Sequence, residues 1–189
     1  MSLYTLYTPQ TAPAVTGEIL SGLRKMIGFV PNVFAIMGSS EPVLRAFVEL
    51  TTRFGQTSLS PVEQEIVHIA VSVENGCEYC VAGHSAFAKM KNMPDEILAE
   101  LRRNGTIADP QLAALHDFTR EVVRKRGHIG RDALQKFMSA GYSADQVQEV
   151  ILGISEKTFS NLTSVVFNIP LDLEFSKHRW HPSAGARAA

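Results

Sequence analysis

The chain has 189 residues, 45% of them hydrophobic and 20% charged, with a net charge of -1 at pH 7 and a pI near 6.6. That balance excludes the basic face of a nucleic-acid binder and the acidic excess of a solvating tail, and the length suits a single domain, 1–189, with a substantial core. No apolar run approaches the roughly 20 residues of a membrane span, and the opening MSLYTLYTPQTAP lacks the basic-then-apolar order of a secretory signal. A cytoplasmic protein with no nucleic-acid or membrane partner is expected.

Residues 1–11 read as an extended arm: LYTLYT alternates like a strand, but no second strand is in sight to pair with it. From Thr16 to Asn168 the punctuation is helical. Ser60-Pro61-Val62-Glu63 is a capping box with proline at the first helical position. The helix it opens is apolar almost all round, as in the middle of a bundle, except for Glu65, His68 and Ser72, which share one stripe. Asn75-Gly76 is its stop, and CEYCVAGHSAFAKMK opens a further helix that runs to about Lys91.

Pro94 and Asp109-Pro110 mark further starts, Asn104-Gly105 and Gly127 further stops, and RDALQKFMSAG after Gly130 is a short amphipathic segment. Ser143-Ala144-Asp145-Gln146 is a second capping box, ahead of a long apolar helix. That helix faintly echoes the segment from Glu41 to His84, with Glu149 at the place of Glu65, and Asn161 and Ser164 at the places of Cys77 and Cys80. TSVVFNI within it could pass for a strand, but again without a partner, so the fold class is all-α: a helical bundle with two weakly related halves. NIPLDLEFSKHRWHP, carrying Trp180, reads as irregular surface packing, against the domain or across a subunit boundary, and 183–189 as a flexible tail.

Both cysteines of the chain lie in GCEYCVAGH. Cys77, Cys80 and His84 are spaced i, i+3, i+7 and fall on one helical face. Free N–H groups at a helix N-terminus favour a thiolate, and a disulfide three residues apart is sterically feasible and readily reopened. His84, one turn beyond Cys80, is placed to accept its proton, and Glu65 on the preceding helix is placed to orient that imidazole if the chain turns back at Gly76. His68 would stand behind Glu65, or be no more than a hydrogen-bonded core histidine. A zinc site built from Cys77, Cys80, His84 and Glu65 is the main rival, though its spacing is unusual for zinc and it lacks a second cysteine pair. A thioredoxin-like reading needs a strand before the cysteines, where this chain has a helix.

The pattern E-x11-C-x2-C-x3-H formed by Glu65, Cys77, Cys80 and His84 resembles the motif of the alkylhydroperoxidase AhpD and carboxymuconolactone decarboxylase superfamily, most densely from Ser60 to Met90. The resemblance implies an AhpD-like helical bundle and a peroxidase that binds no cofactor. Cys80 would attack a small organic hydroperoxide and become a sulfenic acid, and Cys77 would resolve it as a disulfide. An external thiol reductant, a lipoyl protein in the best-known member, would reopen that disulfide. His84 and Glu65 would relay the proton. That member has a histidine just before its second cysteine where this chain has Tyr79, and the branch named for decarboxylation generally lacks the cysteine pair. The family's oligomers, and the apolar character of these helices, imply a homo-oligomer here.

Overall fold

The computed structural model describes residues 4–182; among these residues the structure is all-α, with no strand. The helices are α1 (Ala14–Ile27), α2 (Asn32–Met37), α3 (Glu41–Gly55), α4 (Pro61–Glu74), α5 (Glu78–Met90), α6 (Asp95–Arg102), α7 (Pro110–Arg124), α8 (Arg131–Ser139) and α9 (Ala144–Val166), followed by a 3-10 helix, Leu173–His178. None of them is long and apolar enough to cross a membrane.

The central helix is α4, packed against α5, α7 and α9. Its capping box is closed in both directions: Glu63 N donates to Ser60 Oγ at 3.3 Å, and Ser60 N donates to Glu63 Oε2 at 2.7 Å. Every residue from Gln64 to Val73 is buried, which explains why the apolar pattern runs all round the helix. At the end of α4, Gly76 takes φ +63°, a left-handed conformation that favours glycine. Cys77 N then donates to Ser72 O at 2.9 Å, turning the chain so that Cys77 becomes the N-cap of α5. The polar stripe of α4 is thereby brought against the start of α5.

The second capping box, Ser143 with Gln146, starts α9, and TSVV continues that helix to Val166 instead of forming a strand. Gly153 lets α9 cross close to its neighbours: a Cβ there would lie 2.5 Å from Phe54 Cε2 and 2.9 Å from Val67 Cγ1. Gly153→Ala is therefore expected to destabilise the protein by about 1–3 kcal/mol, despite the better helix propensity of alanine. Urea titration of the two proteins measures this, and equal or greater stability of the variant would show that α9 has room to move.

Both ends of the described residues are fastened to the body. Tyr7 N donates to Ala35 O at 3.0 Å, so the arm is held on the body at that point, while 1–3 and the tail expected over 183–189 lie outside the described residues. The stretch read as irregular contains the 3-10 helix and packs back on the domain. Phe175 is buried in edge contacts with Phe29, Tyr79 and Phe87, and Trp180 Nε1 donates to Arg102 O at 2.7 Å. The Arg102 guanidinium reinforces this by donating to His178 O and Arg179 O. Backbone carbonyls of an irregular segment need donors when covered, and one arginine supplies two of them.

Candidate active site

Three helices bring polar side chains into the otherwise apolar interior. Glu65 and His68 come from α4, Cys77, Cys80 and His84 from α5, and Glu156, Lys157, Ser160, Asn161 and Ser164 from one face of α9. Glu65, Lys157 and Cys80 are 2%, 3% and 4% exposed, so their charges interact through a poorly screening medium.

Both cysteines are free thiols. Cys80 Sγ lies 3.6 Å from Ser164 Oγ and 3.9 Å from Ser160 Oγ. Burial pushes the Cys80 thiol up. A hydrogen bond from Cys77, the Lys157 charge and hydrogen bonds from Ser164 and Asn161 outweigh that and bring it down to about 6. Cys77 moves the opposite way, because its bond to Cys80 and its own burial both favour the neutral thiol. The pair is thus divided into one thiolate and one thiol at neutral pH.

Glu65 and His84 meet as their spacing predicts, with His84 Nδ1 2.8 Å from Glu65 Oε2. The expected direct bond from His84 to Cys80 is not formed. Lys157 Nζ lies 2.6 Å from the other ring nitrogen, Nε2, so both nitrogens are engaged away from the sulfur. The physical reason is that α9 places an ammonium beside the imidazole, and a ring nitrogen accepting from it has no lone pair left for a thiol proton. The partners assign the tautomer: Nδ1–H donates to the carboxylate and Nε2 accepts from Lys157. Burial, followed by the Lys157 charge, pulls His84 down to about 3 against the opposing pull of Glu65. Beyond Glu65, Lys91 Nζ lies 2.7 Å from Oε1, and the Lys91 side chain is 34% exposed. A continuous file runs from Lys157 through His84 and Glu65 to the surface.

His68 takes a larger part than the sequence reading allowed. Its Nε2 is 2.6 Å from Glu156 Oε2, and its ring packs against that of His84 with centroids 4.3 Å apart. Burial lowers its basicity, but the Glu156 carboxylate outweighs this and leaves the pKa raised. Its Nδ1 has no hydrogen-bond partner and stands 3.8 Å from Glu65 Oε1, an ion-pair separation rather than a bond. With His68 protonated, the charges of Lys91, Lys157 and His68 balance those of Glu65, Glu156 and the Cys80 thiolate.

Among the described residues, the ligand atoms grouped closely enough to hold a metal belong to Glu65, His68 and His84, all within 4.8 Å of one another. Neither cysteine of the anticipated zinc set is among them. Two ammonium groups also already engage His84 Nε2 and Glu65 Oε1, where a metal would need free lone pairs. The donor set does not fit zinc.

A cavity of about 390 Å³ opens onto this cluster, lined by Phe34, Phe47, Phe54, Phe87 and Phe175 together with Cys80, His68, His84 and Lys157. Tyr79 turns away from the sulfurs: its hydroxyl donates to Asp172 Oδ2 at 2.5 Å and accepts from Val33 N at 3.2 Å. The sequence reading did not single out Glu156, Lys157 or Ser160. A signal was there: a charged pair inside a long apolar helix, one turn ahead of Asn161 and Ser164, which the internal echo had already aligned with the cysteines.

None of the curated proteins matches the sequence. Residues 41–118 match the model of the carboxymuconolactone decarboxylase family. Among solved structures, the chain is similar to an AhpD-core, peroxidase-related protein from Ralstonia eutropha JMP134, with 19% identity, a TM-score of 0.83, and 98% of this chain and 96% of that one covered. It is also similar to a peroxidase-related protein from Silicibacter sp. TM1040, with 20% identity, a TM-score of 0.77, and coverage of 86% and 87%. A third is the debrominase Bmp8, solved with 2,3,4-tribromopyrrole, with 16% identity, a TM-score of 0.80, and coverage of 94% and 96%. The stretch from α3 to α7 is thus similar to the carboxymuconolactone decarboxylase family, and the fold is shared over nearly the whole length with an AhpD-core structure.

Proposed function

We propose that the protein is a thiol-dependent peroxidase that reduces small organic hydroperoxides through Cys77 and Cys80, in the cytoplasm, where thiols are kept reduced. The observation that carries this reading is the Cys80 sulfur, poised as a thiolate beside Lys157 on the wall of a largely apolar cavity. The cavity suits a molecule with an apolar body and one polar end.

Activation of Cys80 releases a proton. The file from Lys157 through His84 Nε2 and Nδ1 is polarised away from the sulfur and ends on Glu65, which accepts from His84 on one oxygen and from Lys91 on the other. The thiolate attacks the terminal oxygen of the hydroperoxide, the O–O bond breaks, and the alkoxide leaves as the alcohol, taking a proton from the Lys157 ammonium. Cys80 is now a sulfenic acid. Cys77 attacks its sulfur, water leaves, and the Cys77–Cys80 disulfide forms. An external dithiol, such as a lipoyl protein, supplies the two electrons that restore both thiols.

Mass spectrometry tests the reading. Peroxide should remove two hydrogens reversibly from the reduced protein, and turnover should follow when a dithiol is added. Bound zinc that blocks thiol alkylation would favour a zinc-stabilised partner-binding module instead. One disulfide formed without turnover, across several dithiols, would leave a redox sensor.

A second reading draws on the aromatic lining and on the debrominase among the structural relatives: reductive dehalogenation of a small halogenated aromatic by the same thiolate. Bromide release from a bromopyrrole in the presence of a dithiol, without peroxide consumption, would favour it. We also infer a homo-oligomer, supported by the exposure of Leu162, Val166 and Leu173, which sedimentation would check.

A further inference from the structure

The two cysteines face different cavities. Cys80 lines the aromatic cavity and Cys77 does not. Cys77 lines a second cavity of about 350 Å³ in which Cys80 takes no part. This second space lies between the start of α5, the end of α9 and the C-terminal segment, with Val165, Leu171, Arg179 and Trp180 among its walls. We propose that the second cavity is a binding site for a small dithiol, which reduces the disulfide there by attacking Cys77, on the side away from the hydroperoxide.

This proposal rests on the redox role of the pair given above. The chemistry follows from the asymmetry of the two sulfurs. A thiolate of the dithiol attacks Cys77 Sγ, the Cys77–Cys80 bond breaks, and Cys80 leaves as a thiolate. It leaves into a place already built to hold negative charge, beside Ser164 and Asn161 and within the field of Lys157. A stabilised leaving thiolate departs faster, so attack at Cys77, which expels Cys80 beside Lys157, Ser164 and Asn161, is favoured over attack at Cys80, which would expel the buried Cys77. The second sulfur of the dithiol then attacks its own mixed disulfide and closes a cyclic disulfide. It expels Cys77, which takes up the proton given up by the dithiol. Two electrons pass from the dithiol to the protein. With the two sulfurs on different cavities, an apolar product still in the aromatic cavity does not obstruct reduction.

The trial uses disulfide prepared with diamide, so that it stands whether or not hydroperoxides are the substrate. Val165 is 58% exposed on the last turn of α9 and lines the second cavity, whereas Ile27 lines the aromatic cavity and not the second. Val165→Trp should slow reduction by dithiothreitol at least about tenfold, and slow it more than it slows oxidation of the reduced protein by cumene hydroperoxide. Ile27→Trp should show the reverse preference. Leu171→Trp repeats the first arm if Val165→Trp folds poorly by circular dichroism. Brief exposure of the disulfide to 2-mercaptoethanol with iodoacetamide should leave the mercaptoethanol adduct on Cys77 and the alkyl group on Cys80. An adduct on Cys80, or reduction slowed by Ile27→Trp and not by the second-cavity variants, overturns the proposal. If diamide forms the disulfide and hydroperoxide does not, the peroxidase reading fails while this one is still decided.

Discussion

Replacing Lys157 by methionine is expected to raise the pH at which Cys80 becomes reactive by about one to two units, as loss of a neighbouring opposite charge does. In the native protein the Cys80 thiol sits at about 6, so its alkylation by iodoacetamide should rise through that pH and level off above it. Burial alone would hold this sulfur above the ordinary thiol range, and Lys157 is one of the groups that reverse it. Methionine keeps the length and apolar stem of the side chain and removes only the charge and its hydrogen bonds. The lowered state therefore shrinks, and at pH 7 less thiolate is present. Lys157→Arg, which keeps the charge, should preserve more of the low midpoint. The rate of iodoacetamide alkylation at Cys80 against pH, followed by peptide mass, gives the answer. An unchanged midpoint in the methionine variant would remove Lys157 from the account of the thiolate.

The other large effect is at the sulfur itself. Cys80→Ser should lower peroxide consumption by at least about a thousandfold, because a serine hydroxyl in this place stays protonated and is a poor nucleophile toward oxygen. Cys77→Ser should behave differently. One equivalent of hydroperoxide is consumed at a rate near the native one, and the product is a sulfenic acid with no partner thiol. Further peroxide then carries it to the sulfinic state, which dithiols do not reverse. Stopped-flow kinetics with intact-protein mass separates the two variants. Full activity in Cys80→Ser would reassign the attacking sulfur, and continued turnover in Cys77→Ser would show that the disulfide is not on the path.

Much of this site was legible along the chain, and the reason is local geometry. Helix spacing places Cys77, Cys80 and His84 on one face whatever else surrounds them, and the capping box at Ser60 with the stop at Gly76 sets the ends of the helix that holds Glu65. The meeting of Glu65 with His84 followed from a single turn between adjacent helices. Lys157 illustrates the opposite case. It is 77 positions beyond Cys80, and nothing in its own neighbourhood says which way that face of α9 will point. Only the crossing of α9 over α3 and α4 at Gly153, close enough that a Cβ would strike Phe54 and Val67, brings it into the site.

The amino-acid order therefore determined the all-α class, the starts of the helices that carry capping boxes and the cysteine–histidine face, because these depend on hydrogen bonds and side-chain spacing within a few residues. Which group receives the imidazole, what charge stands beside the thiol, and how the two sulfurs divide between two cavities were decided by the packing of α4, α5 and α9 with the C-terminal segment. Those are contacts between distant parts of the chain. Their electrostatic strength arises only once water has been removed from around them.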